Sequence, residues 1–343
     1  MPIALPPSEG QPRRWAWLML TPLTLLGCSS EARRATQPLD VASRHAPTSG
    51  ATLPKPIPTP PSEAVKPVER RSEPADPAHA FAPPAQLRLP NTLQPGERVP
   101  LLLVLHGFGV SPTLLIAKAG LNQLADRKKF AYLAPEGAHD SVGRPFWNAG
   151  NSCCDLEHRP VDDVKRLREL LDANLSNASI DAQHVFLVGY SNGAFMAQRL
   201  ACDVGDRIAG VVSVAGAAPT GEVPCAQTTP LSFLEIHGDA DPVVHYAGGT
   251  VFDRTDVTAH SSAPETAQFW AQHLACSGAI HDRGSLDLEP YIDGRETAVQ
   301  RYDSCRGTVE LWTVHAGGHY VALQPPALEA IWGFIQAHPI AGT

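Results

Sequence analysis

From about Gln86 onward, short uninterrupted apolar runs recur: Leu101 to Leu105, Ala131 to Leu133, Val185 to Val188, Ile208 to Val214, Phe233 to Ile236 and Val309 to Val314. Polar residues do not alternate through most of these runs, so they predict strands covered on both faces rather than strands with one wet side. Between them, Asp162 to Leu175, Asn192 to Ala201, Glu265 to Leu274 and Leu328 to His338 carry apolar residues at helical spacing. Alternating strands and helices predict an α/β domain, with a mostly parallel central sheet, helices on both faces and right-handed crossovers. No internal repeat is visible.

The first third of the chain has a different texture. Arg13 and Arg14 precede an apolar run, Trp15 to Leu26, too short to span a bilayer. The run ends in Gly27-Cys28-Ser29, which resembles a bacterial lipobox with Cys28 as the lipidated residue. Residues 1–28 are therefore expected to be an export signal. The rival is an ordinary cleaved signal in which Cys28 is incidental. Residues 29–84 are rich in Pro, Ala, Ser and Thr, and Pro54 to Pro61 lacks the amides a ladder needs, so this stretch is expected to be an extended tether. Residues 85–343 then form the catalytic domain.

Composition narrows the function. The 343 residues are 43% hydrophobic and 18% charged, enough for a sizeable core. A net charge of -8 argues against a nucleic-acid partner, which would require a basic face. Export makes the cysteines interpretable. With Cys28 set aside, six of the seven remain, an even number suited to disulfides in an oxidising compartment. Neighbours in sequence give the simplest pairing, Cys202 with Cys225 and Cys276 with Cys305, each loop stabilising the fold by about 3 kcal/mol. Cys153 and Cys154 are adjacent, with Cα atoms only about 3.8 Å apart. A bridge between them, pairing elsewhere and free thiols all stay open.

Four segments carry chemistry. Gly189-Tyr190-Ser191-Asn192-Gly193 follows one buried run and opens a helix, the strand–turn–helix setting of a G-x-S-x-G nucleophile elbow. Ser191 is the candidate nucleophile, and the glycines leave room for close backbone approach. His106-Gly107-Phe108-Gly109 follows the strand Leu101 to Leu105, where a second oxyanion amide is needed; Phe108 and Asn192 are assigned as the two donors. His237-Gly238-Asp239-Ala240-Asp241-Pro242 offers the acid, with Asp241 preferred and Asp239 its rival. His315-Ala316-Gly317-Gly318-His319 offers the base, with His319 preferred over His315. The order Ser, Asp, His is that of an acyl-transfer triad. Metal sites fit poorly. Asp239, Asp241 and His245 lack the other positions of a calcium loop, and two glycines interrupt the helix that His315 and His319 would need to bind zinc. No cofactor is expected.

These segments, together with Phe146-Trp147-Asn148-Ala149-Gly150 and Asp162-Asp163-Val164, occur in an order that resembles the polyhydroxybutyrate depolymerase and feruloyl esterase group of α/β-hydrolases. That group includes relatives of family-one carbohydrate esterases and bacterial lipoprotein esterases. The resemblance covers roughly residue 80 to the C-terminus. It implies an α/β-hydrolase fold, Ser191, Asp241 and His319 as the triad, and the Cys202–Cys225 and Cys276–Cys305 pairings. It also implies substrate contacts from Trp147, Asn148 and Tyr190. Tyr320-Val321 departs from the Trp-Pro-Gly run that often follows the histidine, which puts the pocket rim in question. The expected activity is hydrolysis of feruloyl or acetyl esters of polysaccharides, or of hydroxyalkanoate oligomers. The expected location is outside the cytoplasm, with the membrane engaged only through an N-terminal lipid. The rivals are a peptidase or thioesterase on the same scaffold, since a triad does not choose the leaving group, and a non-catalytic surface-binding lipoprotein.

Overall fold

A computed structural model describes residues 85–339 apart from residues 220, 222–224 and 226–228. The expected signal, Cys28 and the tether lie outside the described residues. The elements run in the order β1 (Val99–Leu105), α1 (Pro112–Lys118), α2 (Leu121–Lys128), β2 (Ala131–Leu133), β3 (Ala138–His139) and β4 (Pro145–Phe146). Next come α3 (Asp163–Leu175), β5 (Ile180–Tyr190), α4 (Asn192–Val204), β6 (Gly210–Val214), β7 (Leu231–Gly238) and α5 (Ala263–His273). The chain closes with β8 (Ile280–Leu286), β9 (Thr297–Tyr302), β10 (Gly307–Val314) and α6 (Pro325–Ala337).

The main sheet has eight strands in the order β2-β1-β5-β6-β7-β10-β9-β8. The six from β2 to β10 are parallel, and β9 and β8 add an antiparallel edge. Period-two alternation sends Leu101, Leu103, Leu187, Val211, Phe233 and Leu311 to one face, against Leu167 and Leu171 of α3, Phe195 and Leu200 of α4 and Trp270 of α5. The intervening Leu102, Val104, Phe186, Val212, Leu234 and Trp312 meet Leu115 of α1, Leu124 of α2 and Trp332 and Ile335 of α6 on the other. Apolar residues on both sides of each strand are what made the runs continuous, and the predicted layered α/β architecture is the one observed.

Six elements escaped the sequence reading, β3 and β4 because two residues each make no pattern. The β8 strand is largely exposed and polar, and β9 is only partly buried, so neither carries an apolar run. Helices α1 and α2 span seven and eight residues, too short for a periodicity to emerge. No helix among the described residues is long and apolar enough to cross a membrane. Disulfides join Cys202 to Cys225, Cys276 to Cys305 and Cys153 to Cys154.

Candidate active site

Strands β5, β7 and β10 run parallel, so the loops leaving their C-terminal ends open at one edge of the sheet. Ser191 sits between β5 and α4 with φ 53° and ψ -123°, a conformation L-residues rarely adopt. Two close approaches hold it there. A Cβ on Gly189 would lie 2.2 Å from the Gly193 carbonyl oxygen, and one on Gly193 would lie 2.2 Å from that of Leu105. The Ser191 amide donates to the Val214 carbonyl at the end of β6 (2.8 Å). The hydroxyl is thereby pushed out of the turn towards the next loops.

His319, five residues after β10, meets that hydroxyl with Nε2 at 3.0 Å from Oγ. Its Nδ1 donates to Asp241 Oδ2 at 2.7 Å, which leaves Nε2 as the lone pair facing Ser191. Asp241 follows β7. Its Oδ1 accepts the amides of Val243 (2.7 Å) and Val244 (3.0 Å). Burial alone would push this carboxyl up, but the contact with His237, the hydrogen bond from His319 and the Val243 amide outweigh it. Asp241 is held well below the usual carboxylate range. The two loops are stitched by the Asp239 amide on the Val314 carbonyl and the Ala240 amide on the Gly317 carbonyl, both 3.0 Å. Tyr190 locks the histidine from behind. Its hydroxyl donates to the His319 carbonyl at 2.7 Å, and its ring lies 5.5 Å from the imidazole.

The two rival residues pair with each other. His315 Nδ1 bonds Asp239 Oδ2 at 2.8 Å, and Asp239 Oδ1 accepts the Ala316 amide. His245, the third member of the discounted metal set, bonds Asp253 instead. Among the described residues no group of three His, Cys, Asp or Glu is arranged to hold a metal ion.

The amide of Asn192 stands in the first turn of α4, where helix geometry provides no acceptor. Its side chain is fully buried and clasps one peptide from both ends: Oδ1 accepts the Trp147 amide (2.8 Å) and Nδ2 donates to the Trp147 carbonyl (2.9 Å). Nδ2 also lies 3.6 Å from Cys153 Sγ, so the Cys153–Cys154 loop abuts the nucleophile helix. The loop bearing Phe108 is fixed by the Gly109 amide on the Pro145 carbonyl (2.8 Å). His106 underlies it, fully buried, with Nε2 accepting the Gly137 amide at 2.9 Å; burial pushes its pKa down to about 4, so it is neutral.

Trp147, Asn148 and Tyr190, the expected substrate contacts, all bond within the protein. Trp147 is entirely buried beneath the site, its indole N–H donating to the His106 carbonyl at 3.0 Å. Asn148 uses its backbone amide on Asp163 (2.8 Å) and its side-chain amide on the Val161 carbonyl (3.1 Å). Tyr190 spends its hydroxyl on His319. Residue type in a loop could not reveal these partners. The exposed aromatic groups at the rim are instead Tyr320, 72% exposed and stacked at 6.3 Å on Tyr190, and Phe252, 46% exposed and edge-on at 6.2 Å to Phe108.

Residues 93–279 match the model of the phospholipase/carboxylesterase family. The chain is 31% identical over 289 residues to a putative esterase, NocK, of Nocardia uniformis subsp. tsuyamanensis, covering 78% of this chain and 82% of that protein. It is 29% identical over 210 residues to feruloyl esterase B of Piromyces equi, covering 59% of this chain and 35% of that longer protein. Among solved structures, the acetyl xylan esterase from Aspergillus awamori is similar in fold, with a TM-score of 0.51 at 14% identity, covering 73% of this chain and 93% of that one.

Proposed function

Because the chain belongs to the phospholipase/carboxylesterase family and is a carboxylic ester hydrolase of the α/β-hydrolase fold, we propose that Ser191, His319 and Asp241 are its catalytic triad. The observation that carries this reading is the continuous contact from Ser191 Oγ to His319 Nε2 (3.0 Å) and from His319 Nδ1 to Asp241 Oδ2 (2.7 Å). His319 takes the Ser191 proton as Oγ attacks the ester carbonyl, and Asp241 stabilises the imidazolium that forms. The amides of Phe108 and Asn192 receive the oxyanion, each such donor contributing about 3 kcal/mol to lowering the barrier. His319 then protonates the leaving alcohol, and water repeats the attack on the acyl-enzyme.

Feruloyl or acetyl esters of polysaccharides, or hydroxyalkanoate oligomers, are the proposed substrates. The exposed rings of Tyr320 and Phe252 favour the feruloyl member, because a flat aryl group or a sugar face stacks on such surfaces. The likeness to the Piromyces feruloyl esterase B supports the same choice. We further place the protein outside the cytoplasm, with residues 1–28 as signal, Cys28 as lipid anchor, 29–84 as tether and 85–343 as catalytic domain. Three disulfides in the described residues support an oxidising compartment. Ser191→Ala is expected to abolish hydrolysis of p-nitrophenyl acetate and methyl ferulate while leaving the circular dichroism spectrum unchanged. Turnover surviving near the wild-type rate would remove the assignment.

A further inference from the structure

Beside Asp241 lies a buried pair that the reaction above leaves unused. Glu235 and His237 stand two apart on β7 and therefore share one face of the strand, with exposures of 0% and 1%. His237 Nδ1 is 3.2 Å from Glu235 Oε1. His237 Nε2 is 2.8 Å from the Val244 carbonyl oxygen and 3.5 Å from Asp241 Oδ2.

The protons follow from the partners. A carbonyl and a carboxylate only accept, so Nε2 must carry hydrogen. A second proton must lie between Nδ1 and Glu235, since otherwise two lone pairs would face each other at 3.2 Å, too close for anything to separate them. Glu235 Oε1 also accepts the Gly216 amide at 3.3 Å, from the turn after β6. That turn starts at Val214, whose carbonyl receives the Ser191 amide. The Val244 peptide is gripped at both ends, with its N–H given to Asp241 Oδ1 and its carbonyl taken by His237.

We propose that His237, held by Glu235, is a positioning residue that fixes the turn from Asp241 to Val244 and, through the Asp241 carboxylate, the orientation of His319. The inference rests on the triad proposed above. The direct approach to Asp241 is longer than an ordinary N–H···O bond, so His237 acts mainly by clamping the turn and by supplying hydrogen towards the carboxylate. Its basicity agrees with this. Burial pulls the imidazole pKa down, but its contacts with Asp241 and Glu235 outweigh that and raise it to about 9.

The test compares His237→Gln and Glu235→Gln with the wild-type protein on p-nitrophenyl acetate, with rates expressed per site labelled by a fluorophosphonate. That normalisation removes any misfolded fraction. His237→Gln should lower kcat per labelled site about ten-fold or more, because a small misplacement of the base is costly. KM should stay within about two-fold, as expected when only the transition state is affected. Glu235→Gln should lower kcat in the same sense by a smaller factor, and it serves as the reporter if His237→Gln does not fold. Unchanged kcat per labelled site in the folded variants, even with a lowered melting temperature, would reduce the pair to a structural role and overturn the inference. The underlying triad fails by a different sign, a wild-type protein that the fluorophosphonate leaves unlabelled at Ser191.

Discussion

Replacing Asn192 by Ala separates the scaffold of the oxyanion site from its chemistry. The variant keeps the backbone N–H assigned to the oxyanion, so the donor itself survives. It loses the side chain that holds the Trp147 peptide through two bonds of 2.8 and 2.9 Å in a fully buried setting. The Trp147 amide is left without its acceptor. The carbonyl keeps two other partners, the Ala149 amide at 3.1 Å and the Cys154 amide at 3.5 Å. The orphaned donor is the main loss, and it costs about 1–3 kcal/mol. For a domain of this size that lowers the melting temperature by roughly 2–12 °C, a sizeable share of ordinary stability. Asn192→Asp should be worse than Ala, because its second oxygen would face the Trp147 carbonyl oxygen. Calorimetry gives the stability, and kcat per fluorophosphonate-labelled site gives the chemistry. The loss of kcat should not exceed about a thousand-fold, since at most one oxyanion donor is displaced. A melting shift below about 2 °C for Ala, or Asp more stable than Ala, would refute the reasoning.

Two further outcomes follow from buried groups. Tyr190→Phe removes the donor to the His319 carbonyl and should cost about 1–2 kcal/mol of stability. It should also lower kcat roughly three- to ten-fold by loosening the base, and an unchanged kcat in a stopped esterase assay would count against that role. Asp163 is 1% exposed, and its burial outweighs the Asn148 amide and the charges of Arg166 and Arg199 to raise its pKa to about 6. A raised carboxyl means that the folded state holds its proton more tightly than the unfolded chain does. Its contribution is therefore fully present below the unfolded value near 4 and lost as pH rises through about 6. Asp163→Asn should flatten the pH dependence of urea unfolding between those values and gain up to about 2 kcal/mol at pH 7.5. A slope equal to that of the wild-type protein would show that the carboxyl is not the source.

The sequence alone determined the layering of the domain. Strands such as Leu101–Leu105 and Phe233–Ile236 are apolar at successive positions because both faces are covered, and that requirement is written residue by residue. It also supplied the order of the candidate site, since Gly189 and Gly193 are demanded by backbone atoms 2.2 Å from where a Cβ would stand. A hint of the buried pair was present too, as Glu235 is a charged residue inside an otherwise apolar run. What only the tertiary structure decided was direction. Asp239 and Asp241 lie two residues apart in one turn, as His315 and His319 lie four apart in another, and linear order cannot say which Asp–His pair lines up with Ser191. The cross-strand bonds from Asp239 to Val314 and from Ala240 to Gly317 bring the loops together and resolve it. The same holds for Trp147, which the family resemblance offered as a substrate contact and whose ring is fully buried against His106. Side-chain facing is set by neighbours remote in sequence, and the local pattern carries no record of them.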